Sequence, residues 1–600
     1  MHDVLLPTLG ACLEWLVVGA VVAGCGHVVR HLVSVRTAFA AVDLWLGLAA
    51  LVAYLQLWTL AGGVTAYAWI APAVAAAAGI ALAHRPRAPR LLPAALTLAG
   101  MLWLANRALG PAFDYDLGLY HASAIRYALD YGSVPGLANL HVRLGASDPH
   151  LLLVAFLQHG PFAGAAPHLV NGLLATFLLV EIATRAASGD SFTRRLALLL
   201  APATIAVAGI GTAYRVASPN LDLGAFVLVA AAALYLAECV EEGARTVPAL
   251  ASLSTFAAAA ATRPLYWAMT AIAAVVVFVM VRRLRAIAVV ASLPALVGVG
   301  FLARQSVLSG YPLFPTTVAA LSVGWRVPAA LVRAETQIAD AWARLPGQDP
   351  GQVLASWHWL SAWWHRRVRD FDVVVPVSLL TALVPGFLAR GSRRSARPLL
   401  AIVVPSLVAL AIWFFVAPDP RFVLAPLWLV AAALAAWAAP QGRLSAPTIV
   451  VGAAGAGALL VLALTYLQWF VLGALDALAL GAVLLRFVAA PAVQRRFAQA
   501  ALVALALVPV GFVADRGGFD LVHANATGAL GTPTLPTPAL SSFTTRSGLQ
   551  LTSPVGSDQC WSVVLCTPQP SAAIALRGAT IADGFDRIAR PSAKSAKVDG

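Results

Sequence analysis

Apolar residues run through the chain in long blocks, separated by short clusters of arginine, proline, glycine or aspartate. A helix of about 20 apolar residues crosses the roughly 30 Å hydrocarbon layer of a bilayer, at about 1.5 Å per residue. Backbone in lipid must satisfy its own hydrogen bonds, so helices are the expected form for such blocks. The pattern predicts about sixteen spans, near 4–28, 38–62, 65–83, 91–109, 167–185, 196–213, 221–240, 247–263, 264–282, 286–304, 372–390, 398–416, 422–439, 447–467, 469–488 and 497–514. HLLLVAFLQHGPF at 150–162 is apolar but too short to cross, and reads as interfacial or re-entrant. After about residue 515 Gly, Thr, Ser and Pro take over. Short alternating runs at Ser562–Leu565 and Ile574–Arg577 predict strands there. Lys594 to Gly600 reads as a disordered end.

Composition agrees with this reading. The 600 residues are 60% hydrophobic and 11% charged, and the mean hydropathy is +0.82. A soluble domain carries roughly 25% charged residues, so a soluble enzyme, a disordered chain and a nucleic-acid-binding domain are excluded. The net charge of +14 comes almost wholly from arginine. Arginines at 30–36, 85–90, 185–195, 282–285, 390–397 and 495–496 all fall on one side of the predicted spans, which the positive-inside bias makes the cytoplasm. The segments 110–166, 214–220, 305–371, 417–421 and 515–600 then lie outside. The first apolar block has no basic n-region and is interrupted by Glu14, so it reads as a retained span and not as a cleaved signal. The domain reading is a membrane unit over 1–514, with outer loops 110–166 and 305–371, and a small outer C-terminal unit over 515–600. Cys12, Cys25 and Cys239 read as small hydrophobes. Cys560 and Cys566 are spaced to allow a disulfide in an oxidising compartment.

Candidate chemistry gathers in the outer segments. Asp114 and Asp116 flank a tyrosine directly after the fourth span. Such carboxylates suit a general base or a site for a divalent cation, Mg or Mn. They equally suit caps for a helix starting near Leu117. Leu117 to Tyr131 reads as an amphipathic helix lying along the membrane, with His121 and Arg126 as polar contacts. His141 and Arg143 follow, suited to a substrate phosphate or to a lipid headgroup. Arg215, Asn220 and Asp222 occupy a connection between spans, and Asp222 also reads as a cap. Trp357, Trp359, Trp363 and Trp364 form an aromatic stretch that fits sugar stacking or, more simply, an interfacial belt. Arg421 in PDPRF stands in a short turn at the bilayer face, placed for a lipid-linked phosphate or for a turn pair with Asp419. Glu14, Asp43 and Asp476 are acidic residues within apolar blocks, the feature a transporter would use.

The Asp-x-Asp pair, the surface helix after it and the many spans resemble the GT-C superfamily of integral-membrane glycosyltransferases. The motifs DLGLYH…GLANLHVR, SGYPLFP at 309–315, PDPRF at 418–422 and CWSVVLCTP at 560–568 are also similar to a group of bacterial multi-pass proteins. The resemblance covers nearly the whole chain. It implies a GT-C-like all-α polytopic protein of the bacterial plasma membrane, with a small β-rich C-terminal domain outside. It further implies sugar transfer from a polyprenyl-phosphate-linked donor to an envelope glycan or glycoconjugate acceptor, in contact with membrane lipid and without nucleic acid. The base or metal role of the family maps onto Asp114 or Asp116. One departure is that three spans precede the span leading into the acidic loop, where the family usually has none. The rival expectation is a transporter or flippase of lipid-linked sugars.

Overall fold

The structure is a computed structural model that describes residues 2–34, 38–83, 91–112, 114–209, 214–384, 395–440, 445–465, 467–488, 490–524 and 527–588. The arginines at 36, 85, 87, 90, 390, 393 and 394 and the end from Lys594 lie outside the described residues. The protein is a multi-pass helical membrane protein with a small strand-containing C-terminal region. Among the described residues, twelve helices are long and apolar enough to cross a membrane, including Ala41–Ala61, Leu91–Ala108, Ala166–Ala186, Leu221–Glu242 and Leu284–Ser309. Four of the predicted spans are shorter as apolar helices: Ala66–Leu82, Thr246–Thr262, Phe371–Ala382 and Gly473–Leu485.

The connections gather at two ends of the helix bundle. At one end Arg30 pairs with Asp43 at 2.7 Å, Trp45 donates to Glu181 at 3.0 Å, and Arg185 reaches Glu238 at 3.0 Å. At the other, Val64 N–H donates to the Ala128 carbonyl at 2.9 Å, and the Tyr266 hydroxyl to the Phe422 carbonyl at 3.0 Å. Asn171 ties down the 215–220 connection through the carbonyls of Arg215, Ser218 and Asn220, at 2.9, 2.8 and 2.8 Å. Asp43 thus sits at the start of its helix, held by Arg30 and close to His27, away from the bilayer midplane where a transport site would be expected.

Small residues set the closest helix crossings. A Cβ on Gly47 would stand 1.8 Å from the Val22 carbonyl oxygen, and one on Gly26 would stand 1.8 Å from that of Asp43. Helices in lipid associate by packing and not by leaving water, so such backbone contact is where their stability resides. Gly47→Val is therefore expected to abolish the folded fraction or to reduce it several-fold. Gly457→Ala, where nothing lies within 4 Å of the new Cβ, leaves it unchanged. Thermal melting of detergent-solubilised protein followed by size exclusion reads both.

Two expectations need correction. The 150–162 stretch forms the nine-residue helix Pro149–Leu157, whose residues are all buried. It packs inside the bundle, which sets aside the interfacial alternative but not the re-entrant one: all nine residues are buried, and Trp69 stacks on Phe156 at 4.2 Å. The Leu117–Tyr131 segment also avoids the lipid surface. It begins with a π-helical turn, Leu117–His121, followed by the helix Ala122–Asp130. The C-terminal region covers it: Tyr127, Val134, Leu137 and Leu140 share one apolar cluster with Leu551, Ile574 and Phe585.

The C-terminal region carries two antiparallel pairs, β1 (Leu540–Thr544) with β2 (Gln550–Pro554), and β3 (Ile574–Leu576) with β4 (Phe585–Arg587). Ser562–Leu565 is not a strand. It is the turn closed by the Cys560–Cys566 disulfide, entered and left through positive φ at Trp561 (50°) and Leu565 (59°).

Candidate active site

The site forms where four connections meet at the end of the bundle that the C-terminal region covers. The helix Leu91–Ala108 delivers Asp114, and its last turn is tied by Trp103 to the Gly518 carbonyl at 2.8 Å and by Asn106 to Val522 in both directions at 2.9 Å. The Asp116 N–H donates to Asp114 Oδ1 at 3.3 Å, and the Leu117 N–H donates to the Asp114 carbonyl at 3.1 Å. This tight start leads into the π turn, a wide form that recurs at functional sites because it re-aims side chains. Here it turns His121 back toward Asp114, with Nδ1 at 3.7 Å from Oδ2.

Asn220 joins the second connection. Its side-chain oxygen caps the helix Leu221–Glu242, accepting from the N–H groups of Asp222 and Leu223, and its amide donates to Asp114 Oδ2 at 3.3 Å. Asn220, not Asp222, is therefore the cap. Asp222 is left to pair with Arg263, which stands at the break between the helices Thr246–Thr262 and Trp267–Val281. Arg421 comes from the short Pro420–Val423 turn. Asp419 accepts from the Arg421 N–H at 3.2 Å, Trp413 donates to the Asp419 carbonyl, and Trp363 to the Pro418 carbonyl, both at 2.7 Å. The guanidinium groups of Arg263 and Arg421 each lie 5.0 Å from the Phe422 ring centre, one aromatic plate serving both.

Asp116 stands between two arginines. Oδ1 is 3.5 Å from Arg143 Nη1, and Oδ2 is 3.6 Å from Arg421 Nη1. Burial opposes its ionisation, but the charges of Arg421, Arg143 and Arg263 outweigh that and hold its pKa below the usual value. Asp114 goes the other way. Burial, then the charges of Asp116 and Asp222, push its pKa up to about 7. Burial lowers His121 to about 4, so its imidazole is neutral, and neither ring nitrogen has a hydrogen-bond partner. Two neighbouring carboxylates thus differ in charge at neutral pH: Asp116 is a fixed anion and Asp114 is poised to gain or lose a proton. Asp148, pushed up to about 6 by burial, adds a second poised carboxylate nearby.

The structure therefore brings together Asp114, Asp116, His121, Arg143, Asp222 and Arg421 from the sequence-derived set. Arg126 is not among them. It is half exposed and spends its charge on Asp130 one turn along, at 2.7 Å. His141 is buried beside Arg143 and makes no hydrogen bond to either aspartate. In the tryptophan stretch, Trp359 and Trp363 are buried against Trp413 and Val423, whereas Trp357 and Trp364 are exposed, as packing plus an interfacial belt requires. A divalent cation between Asp114 and Asp116 does not fit these donors. Both Asp116 oxygens face guanidinium groups, and the Asp114 oxygens face an amide and a backbone N–H. Among the described residues no three His, Cys, Asp or Glu side chains come together as a metal site. Sequence reasoning missed Arg263, Glu335 and Asp148. An Arg-Pro break between two apolar blocks was the available signal for the first.

The fold is similar to the crystal structure of ArnT from Cupriavidus metallidurans in the apo state, at 15% sequence identity and a TM-score of 0.35, over 72% of this chain and 77% of that one. No curated protein matches the chain. Residues 9–428 match the family model described as "Domain of unknown function (DUF8201)", and the chain belongs to that family.

Proposed function

We propose that this protein is a GT-C-type glycosyltransferase of the bacterial plasma membrane, with its site and C-terminal region on the extracytoplasmic face. It moves a sugar from a polyprenyl-phosphate-linked donor to an envelope glycan or glycoconjugate. The observation that carries this reading is the poised Asp114 beside an arginine-bounded Asp116 at the end of a membrane helix bundle. In the proposed reaction the acceptor hydroxyl oxygen attacks the anomeric carbon and its proton passes to Asp114. The bond from that carbon to the phosphate oxygen breaks, and the electron pair leaves with the lipid phosphate. Arg421 and Arg263, each with an unpartnered buried Nε, supply donors for the departing phosphate. His121, neutral and without a partner, suits a sugar hydroxyl, which both gives and takes a hydrogen bond. A single displacement of this kind inverts the anomeric centre. No step requires a metal ion.

The test is sugar transfer by purified protein in lipid nanodiscs, supplied with radiolabelled polyprenyl-phosphate sugars and a panel of glycan acceptors. Transfer by the wild type is the expected result. Movement of donor across vesicle membranes without transfer would replace this reading with that of a flippase.

A further inference from the structure

Arg143 reaches Asp116 only as the last member of a chain that begins in the C-terminal region. Gln569 donates through Nε2 to Glu335 Oε2 at 3.2 Å. Glu335, on the helix Ala329–Arg344, accepts from Arg143 Nε through its other oxygen at 2.6 Å. The opposite edge of the same guanidinium faces Asp116 at 3.5 Å, and its carbon lies 5.8 Å from the Tyr120 ring centre. Gripping Nε fixes the plane of a guanidinium, because all its donors share that plane. The helix that carries Glu335 is itself seated by Val332, which packs with Tyr311, Phe314 and Val142 in a separate apolar cluster. The carboxylate is therefore anchored at both ends: its backbone by this cluster and its free oxygen by Gln569.

We infer that Glu335, held by Gln569, is a positioning residue for the reaction proposed above. It aims the Arg143 guanidinium at Asp116, and so makes the C-terminal region part of the active site. The inference rests on that functional reading for its consequence in turnover, but the aim of Arg143 is a separate matter of geometry. With Glu335 in place, Arg143 is committed on one edge and its Nη1 faces Asp116. Without it, a flexible three-carbon stem lets the guanidinium take many orientations, and reaching the transition state from the bound complex then includes the cost of ordering it.

Two measurements test this. The first is independent of activity: the rate of phenylglyoxal modification of Arg143, followed by peptide mass spectrometry in nanodiscs. Glu335→Gln is expected to raise that rate at least fivefold and Gln569→Ala about twofold, while Glu335→Asp stays near wild type and labelling of Arg126 does not change. An unchanged rate at Arg143 in Glu335→Gln overturns the inference, whatever reaction the protein performs. The second is a double-mutant cycle on sugar transfer. Glu335→Gln is expected to lower kcat about tenfold with donor KM within threefold of wild type. It should have no further effect in an Arg143→Ala background, because both changes remove one aimed group. Multiplicative losses in the double variant would assign Glu335 a purely structural part and also overturn the inference. If the wild type transfers no sugar but the labelling result holds, the functional reading fails and the positioning stands.

Discussion

Asp114→Asn is expected to lower sugar transfer by about a thousandfold while leaving the protein folded. The variant keeps the shape and one acceptor oxygen, which can accept from the Asp116 N–H or from the Asn220 amide but not from both, and it has no basic oxygen for the acceptor proton. A general base contributes about 10²–10⁴-fold, and the loss should appear in kcat. The same assignment predicts the pH profile. The active form is the ionised carboxylate, so the wild-type rate rises with pH and reaches half its plateau near the pKa of about 7. Stability moves in the opposite direction. The folded pKa lies above the unfolded value of 3.8, so the contribution of Asp114 is fully present below about pH 4 and is lost as pH rises through about 7. Asp114→Asn removes that loss, and its melting temperature at pH 8 should equal or exceed that of the wild type. A folded, stable variant with undiminished transfer would remove Asp114 from the chemistry.

Arg421→Ala should be the second large effect, at least a hundredfold in kcat/KM for the donor, about 3 kcal/mol of transition-state stabilisation. Arg421 offers a planar set of donors over Phe422, and it has one unpartnered nitrogen. A lysine presents a point charge on a flexible stem, so Arg421→Lys should recover less than a tenth of the lost activity. Farnesyl phosphate binding, measured by titration calorimetry, separates the roles. Arg421→Ala weakens it, whereas Asp114→Asn does not, because Asp114 acts on the acceptor side. Equal binding by the wild type and Arg421→Ala would place the phosphate elsewhere.

The membrane helices were legible because lipid imposes a length and a polarity on each of them, and both can be read along the chain. Asp114, Asp116 and Arg421 stood out for the same reason: a charge next to an apolar block is costly unless it has a task or a partner. What escaped reading is what the chain brings together over distance. Glu335 meets Arg143 across 192 positions, and Tyr115 meets Asp558 across 443. Neither pairing has any local pattern. Arg126 misled through closeness in sequence to His121, since one face of a short helix points to the site and the other to Asp130. The donors around the aspartate pair fit a metal ion poorly for a similar reason. Two aspartates two residues apart look like shared ligands, but the fold gives one of them to two arginines.

The grip of the C-terminal region on the turn after Asp116 has a consequence for the timing of biosynthesis. Trp561 N–H donates to the Gly118 carbonyl at 2.8 Å, and Ser123 donates to the Trp561 carbonyl at 2.6 Å, both from the loop that the disulfide closes. A ribosome adding about 5–20 residues per second needs roughly 20–90 s to travel from the turn to its clasp. Throughout that interval the turn exists without the two hydrogen bonds that clasp it. The turn thus takes its final hold only after the last segment of the chain has been made.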